Sequence, residues 1–284
     1  MIITVGVPKG GDHKTWTTMN LCSLFGLWGY DVLAVDTNAQ HDLYTDYKDI
    51  NLNGYWPRYE MVRHHPFTRE RQLAPAFDFK PHMHHQFIVV DTSQYLELPT
   101  TLWAWSNCDA LILPVSPKIA QVGNYRTGIQ SFRALNGERK PIIVLACSAR
   151  VLRNSKLQER FEWILRAFKE EGCLVASSAD GDIYTQDHMI PESEMMGIQE
   201  NRWIFSETEV GGVRKRLSED FVLRVIFQLT WIRAQLEAFY GWFPKPKLKP
   251  LNVASSFQER AAMLEELRRE QANRSMQTVG TTHE

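Results

Sequence analysis

Short apolar runs, each bounded by turn residues, organise the first two thirds of the chain. "MIITVGV" opens it, followed by "DVLAVD", "FIVVD", "ALILPV" and "PIIVLAC", with "CLVASS" as a shorter candidate. Near-continuous apolar runs of this length predict strands buried on both faces. Between them the apolar residues fall at helical spacing, in "TWTTMNLCSLFGLWG", "LPTTLWAWSN", "IAQVGNYRTGIQSFRAL" and "SKLQERFEWILRAFKEEG". Strands alternating with helices predict an α/β fold, a mainly parallel sheet flanked by helices. From Ile183 to Phe205 the pattern is mixed, and a long amphipathic helix is predicted from about Val213 to Tyr240. "WFPKPKLKP" then reads as a stiff extended linker, and "SFQERAAMLEELRREQANR" as a solvated helix capped by Ser255, with a disordered tail after it. The predicted organisation is a main domain over 1–241, a Pro/Lys-rich linker over 242–255, and a C-terminal helix and tail over 256–284.

Composition narrows the class. The 284 residues are 44% hydrophobic and 23% charged, enough to bury a sizeable core. The 32 Lys and Arg against 33 Asp and Glu leave a net charge of −1, so no global field draws the chain to nucleic acid or lipid. Four cysteines, Cys22, Cys108, Cys147 and Cys173, show no metal or redox spacing, which suits a reducing cytoplasm. No apolar run reaches the roughly 18 residues of a spanning helix.

The chemistry concentrates in "PKGGDHKTW", residues 8–16, where the first strand runs into the first helix. A phosphate site needs inward-pointing backbone N–H groups, a helix N-terminus, a lysine for the phosphate charge and a hydroxyl for Mg²⁺. Gly10 and Gly11 permit close backbone approach, Asp12 and His13 complete the turn, Lys14 would reach the β and γ phosphates, and Thr15 would ligate Mg²⁺. The ordinary spelling GxxxxGK[ST] is not met, because Pro8 and His13 stand where its glycines belong. Asp36 and Asp91 each end a predicted strand, so both would face the loop and hold Mg²⁺ through its waters.

"KGGDHKT" has the form KGGxxK[ST], the deviant Walker A motif, and the chain resembles the ParA/MinD family of P-loop ATPases, most of all ParA-type partition proteins. "DVLAVDTNAQHDL", "FIVVDTS" and "CDALILPVSP" are similar to that family's later motifs, and "IYTQDHMIPESEMMGIQENRWIFS" to its late segment, over roughly residues 1–240. The resemblance implies ATP and Mg²⁺ as cofactors and a homodimer formed on ATP. It also implies that Lys9 crosses the interface to the partner's nucleotide, and that a partner protein stimulates hydrolysis or links cargo. Nonspecific DNA binding by the ATP-bound dimer, in plasmid or chromosome partition or cargo positioning, is implied as well.

Three departures bear on activity. His13 takes the place of a glycine, and Trp16 replaces a threonine whose hydroxyl would help hold the α-phosphate, a loss on the order of 1 kcal/mol. Asn38 replaces the second acid of the family's DxDPQ segment, although Gln40 is kept. Asparagine orients a water but cannot accept its proton. Phosphoryl transfer relies chiefly on positioning, so the expectation is ATP binding with slow hydrolysis through Lys9, Lys14 and Asn38. The competing expectation is a noncatalytic scaffold that keeps the fold and has lost hydrolysis or nucleotide binding.

His64 and His65, and His82, His84 and His85, read as polar loops and not as metal ligands. Arg214, Lys215 and Arg216 at the start of the long helix, with Arg224, Arg233, Lys245, Lys247 and Lys249, form a candidate basic surface for DNA, against a simpler solvated face. The C-terminal helix lacks the strongly apolar basic face of a membrane-surface helix, so no membrane insertion is expected; a cytoplasmic setting is, with nucleoid association if DNA is bound.

Overall fold

A computed structural model describes residues 1–6, 13–115, 122–147, 155–176, 203–205, 207–210, 213–253 and 256–280. In chain order the elements are β1 (Ile2–Val5), α1 (Lys14–Leu27), β2 (Val32–Asp36), α2 (Asp42–Leu52), β3 (Glu60–Arg63), β4 (Phe87–Asp91), α3 (Pro99–Asn107), β5 (Ala110–Val115), α4 (Val122–Asn136), β6 (Ile142–Ala146), α5 (Ser155–Glu170), β7 (Leu174–Val175), β8 (Glu207–Val210), β9 (Val213–Arg216), α6 (Glu219–Tyr240) and α7 (Phe257–Gly280).

Seven strands form one parallel sheet in the order β3-β2-β4-β1-β5-β6-β7. The apolar runs predict this, since β1, β2, β4, β5 and β6 are buried at every position. Residues of α1, α6 and α7 share one core with alternate strand positions, and residues of α3, α4 and α5 share another with the remaining ones. After β1 the chain crosses to β2 and after β4 to β5, on opposite sides of the β1–β4 pair. The order therefore reverses between β1 and β4, and a crevice at the carboxyl ends of these strands is the usual ligand position in such sheets.

Helix α1 is buried at all fourteen positions, because the sheet lies on one side and α6 and the segment Trp203–Phe205 on the other. Its interior polar groups are mostly paired. Asn20 accepts from the Ile204 N–H at 3.0 Å and donates to the Trp16 carbonyl at 2.8 Å, and Ser23 Oγ accepts from Trp203 Nε1 at 2.9 Å.

Four expectations are corrected. The long helix does not begin at Val213: residues 213–216 form β9, antiparallel to β8, with Glu207 opposite Arg216 and Glu209 opposite Arg214 in register. Three cations at a helix N-terminus would oppose its dipole, whereas Ser218, whose Oγ accepts from the Phe221 N–H at 3.2 Å, caps α6 ahead of Glu219 and Asp220. The C-terminal helix is not a solvated one, since α7 buries Arg260, Met263, Leu264 and Leu267. Its cap is Ser256, not Ser255; Ser256 Oγ accepts from the Glu259 N–H at 3.3 Å and donates to the Glu259 carboxylate at 2.6 Å, while Ser255 lies outside the described residues. Helix α7 also runs through most of the expected tail, of which 281–284 lie outside the described residues.

The stretch after α6 lies against the body. Lys247 and Leu248 donate their N–H groups to the Gly29 carbonyl at 2.9 and 2.8 Å, Leu251 donates to Leu27 at 2.7 Å, and the Phe243 ring joins those of Phe25, Tyr30 and Phe87. Arg58, 4% exposed, donates to the Lys249 carbonyl and pairs with the Glu270 carboxylate through two guanidinium nitrogens, fastening α7. Missed by pattern reading were α2, which is largely polar, and β3, an edge strand half in solvent.

Candidate functional site

Parallel register does the first work of assembly. Asp36 at the end of β2 lies directly beside Asp91 at the end of β4, and Val5 at the end of β1 flanks Asp91 on its other side. Both carboxylates are fully buried. Thr15, in the first turn of α1, donates its hydroxyl to Asp91 Oδ2 at 2.8 Å. Lys14 is the first residue of α1 and is 8% exposed, with Asp91 within its field. His13 precedes the helix in the left-handed region at φ 51°, the conformation a glycine would adopt freely there. Trp16 packs into the core at 4% exposure. Lys9, Gly10, Gly11 and Asp12 lie outside the described residues.

At the root of the turn, Gly6 is obligatory for a steric reason. A Cβ built there would stand 2.8 Å from Trp105 Nε1 and 3.1 Å from Thr92 Oγ1.

The two carboxylates are held differently. Asp36 accepts the N–H groups of Asn38 and Tyr44, each at 3.0 Å, and lies 3.7 Å from His41 Nδ1. Asp91 has the Thr15 hydroxyl on one oxygen, while its Oδ1 is buried without a hydrogen-bond partner among the described residues. Burial pushes the Asp36 carboxyl up to about 6, against the backbone bonds that favour its charge. Burial, reinforced by the neighbouring Asp36, pushes Asp91 up to about 7. Two buried acids side by side are costly as a pair of bare anions, and an orphaned carboxylate oxygen needs a partner.

A hydroxyl and two carboxylates are hard oxygen donors, and Asp91 Oδ1 has no hydrogen-bond partner among the described residues, so the residues present fit Mg²⁺. Among the described residues no group of three or more His, Cys, Asp or Glu is placed to hold a metal.

Asn38 is half-buried two residues beyond Asp36, with its N–H on Asp36 and its carbonyl accepting from the His41 N–H at 3.1 Å. The segment carrying it is thus folded back onto the first carboxylate. Three groups escaped sequence reasoning. Thr37 sends both its N–H, at 3.0 Å, and its hydroxyl, at 2.8 Å, to the Asp91 carbonyl. His41 stands at φ 52° beside Asp36, its ring held in the neutral form by burial first and by nearby His65 and Arg63 next. Tyr44 supplies the second N–H to Asp36. Position in "DTNAQHDLY" was the available signal, since a turn that folds back on its aspartate presents N–H groups two and eight residues on.

The histidine pairs are engaged in local structure. His85 Nδ1 bonds Asp31 at 2.6 Å, His64 Nε2 meets the Pro75 carbonyl at 2.8 Å, and His65 Nδ1 meets the Phe67 carbonyl at 2.8 Å. Three of the eight nominated basic residues are engaged within the protein. Arg224 pairs with Asp220 at 2.9 Å, Lys247 with Asp31 at 2.9 Å, and Arg233 lies over the rings of Trp28, Tyr30 and Phe243. Lys245 and Lys249 are exposed. No helix among the described residues is long and apolar enough to cross a membrane.

No family model matches the chain, and no curated protein matches it in sequence. Solved structures do match. The MinC:MinD cell division protein complex of Aquifex aeolicus aligns with a TM-score of 0.54 at 14% identity, over 87% of this chain and 99% of that one. A plasmid partition protein of Borrelia burgdorferi B31 bound to AMPPNP aligns at 0.53 and 16%, over 82% and 98%. The pNOB8 ParA bound to nonspecific DNA aligns at 0.54 and 14%, over 84% and 98%. At these identities the likeness is one of fold, and the fold is that of the ParA and MinD proteins.

Proposed function

We propose that the chain is a ParA-type ATP-binding protein, a nucleotide-switched dimer that positions DNA or another large cargo, with slow ATP hydrolysis. The observation that carries the reading is the cluster at the strand ends: Thr15 on Asp91, Asp36 beside it in register, and the orphaned Asp91 Oδ1, all at the N-terminus of α1. Neighbours of the same fold include one with AMPPNP and one on nonspecific DNA, which supports nucleotide and DNA as the ligand classes.

In this reading Lys14 and the backbone of 9–13 hold the phosphates, Thr15 and the two aspartates hold Mg²⁺, and Lys9 reaches the nucleotide of a second subunit. Bound Mg²⁺ supplies charge neutralisation of the phosphates. A cation held by the two aspartates would offset the repulsion that Asp36 exerts on Asp91, so the buried pair favours being filled. Asn38 orients a water without taking its proton, which keeps hydrolysis slow and leaves the switch dwelling in its ATP form. His13 replaces a glycine at the cost of a left-handed non-glycine residue, of order 1 kcal/mol.

Equilibrium titration with a fluorescent ATP analogue and Mg²⁺, with Lys14→Ala beside the wild type, tests the reading. Saturable binding lost in the variant, with dimerisation seen by sedimentation only when ATP is present, is the expected result. Dimerisation indifferent to nucleotide would favour a scaffold instead.

A further inference from the structure

At the amino ends of β2, β3 and β4, the opposite end of the sheet from Asp36 and Asp91, charged side chains from separate parts of the chain stand in a row. Lys247, in the segment between α6 and α7, donates through Nζ to Asp31 Oδ2 at 2.9 Å and to the His84 carbonyl at 2.8 Å. Asp31 Oδ1 lies 2.6 Å from His85 Nδ1. His85 Nε2 stands 3.9 Å from Glu60 Oε2, and Glu60 Oε1 stands 3.7 Å from Arg274 of α7. The row thus begins and ends on cations of the C-terminal stretch, with an imidazole only 3% exposed at its centre.

Burial acts to raise the Asp31 carboxyl, but the bonds from Lys247 and His85 outweigh it and leave the carboxyl below its ordinary value. An ionised carboxylate only accepts hydrogen bonds, so His85 Nδ1 carries a hydrogen and a further proton enters the ring at Nε2, on the side of Glu60. Two more imidazoles face this ring, that of His84 at 4.1 Å and that of His82 at 6.5 Å between centroids. Burial, and after it His85 and His84, weakens the hold of His82 on a proton, with Asp78 and Glu60 acting the other way. Each carboxylate beside His85 is shared with a cation of the C-terminal stretch, Asp31 with Lys247 and Glu60 with Arg274.

We propose that His85 is an acid-operated release for the C-terminal stretch: a proton on Nε2 competes with Arg274 for Glu60 and sets a third cation beside Lys247, so residues 247–251 and α7 open more readily as pH falls. The inference goes beyond the nucleotide reading and does not depend on it, since none of these five side chains belongs to the candidate site. Its sign follows from the charges. Docking brings Lys247 and Arg274 up to the two carboxylates, so a proton placed between those carboxylates meets two cations in the docked form and neither in the open one. Of the five, the imidazole is the side-chain type that ordinarily changes charge between about pH 5 and 8. Lys247, Glu60 and Arg274 are partly in solvent, so the competition loosens the stretch without detaching it. The contacts that do not titrate hold at every pH: the Lys247 and Leu248 N–H groups on Gly29, the Leu251 N–H on Leu27, and the buried Met263, Leu264 and Leu267.

Hydrogen exchange of the full chain at pH 5.5, 6.5 and 7.5, read by mass spectrometry with labelling times scaled for the intrinsic exchange rate, tests the proposal. Peptides covering 247–251 and α7 are expected to lose about fivefold in protection between pH 7.5 and 5.5, while those of β4 and β5 hold theirs. His85→Gln keeps a donor for Asp31 and takes no proton, so its α7 protection is expected to stay flat across the range. Glu60→Gln, at an exposed side chain, removes the carboxylate that His85 and Arg274 share and is expected to shrink the response. Should His85→Gln fail to fold, Glu60→Gln decides alone. Protection of α7 that is unchanged or rises as pH falls, a response of wild-type size in either variant, or a parallel loss in β4 and β5 would each overturn the proposal.

Discussion

Gly29 and Leu248 meet so closely that nothing larger than hydrogen fits between them. A Cβ on Gly29 would stand 2.2 Å from the Leu248 carbonyl oxygen, and Gly29 sits at φ 87°. Gly29→Ala is therefore expected to destabilise the fold by at least about 2 kcal/mol, through backbone strain and displacement of the 247–251 segment. Urea denaturation read by far-UV circular dichroism measures it.

The Arg58–Glu270 pair is expected to be worth most as a pair that must not be broken. Arg58 is buried, so Glu270→Ala leaves a guanidinium without its counter-charge and should cost about 3 kcal/mol. Arg58→Met with Glu270→Leu should recover much of that loss, and a double-mutant cycle from the same melts gives the coupling.

Asp91→Asn should stabilise the nucleotide-free protein at alkaline pH. The folded-state carboxyl is raised to about 7 from an ordinary value of 3.8, so the folded form binds the proton more tightly than the unfolded chain. Its contribution is fully present below about pH 4 and is lost as pH rises through about 7. The variant removes that loss, giving a gain on the order of 3 kcal/mol at pH 8 and little difference near pH 4. Thermal melts across pH decide it.

Binding of Mg²⁺ and ATP near pH 6.5 should release protons, because a cation between Asp36 and Asp91 favours their ionised forms, which stand at about 6 and about 7 when alone. Calorimetry in two buffers of different ionisation enthalpy reads the release, and Lys14→Ala should abolish the heat altogether.

Asn38→Asp should raise turnover by about tenfold or more, since it restores a proton-accepting carboxylate at a half-buried position beside Asp36. Phosphate release under saturating ATP is the measurement; an unchanged rate would place the slow step elsewhere.

Sequence carried the parallel sheet because β1, β2, β4, β5 and β6 are buried on both faces, and a wholly apolar run has few other uses. It also marked Asp36, Asp91 and Thr15, since a strand end and a helix start are local signals. What brings Asp36 beside Asp91 is register between strands 55 residues apart, and no local pattern encodes that. Helix α2 and strand β3 were missed because each is half in solvent and its alternation is weak. The arginines of 214–216 were assigned to a helix because amphipathic spacing alone does not locate a cap; Ser218 and the acids after it do. The segment after α6 was read as an extended linker and α7 as a solvated helix because prolines and charges dominate their composition, while their docking depends on two N–H groups reaching the Gly29 carbonyl and on contacts at Leu27 and Lys249.

A helix enclosed around its whole circumference, as α1 is, cannot roll or tilt without opening a void in a close-packed core. The motion left to it is a slide along its own axis, like a piston in a sleeve. Lys14 and Thr15 sit at one end of that stroke, and Gly26 and Gly29, in contact with Arg58 and Leu248, sit at the other. Ligand at the phosphate end would then be felt first by the 243–251 segment and α7, at the opposite end of α1 from where it bound.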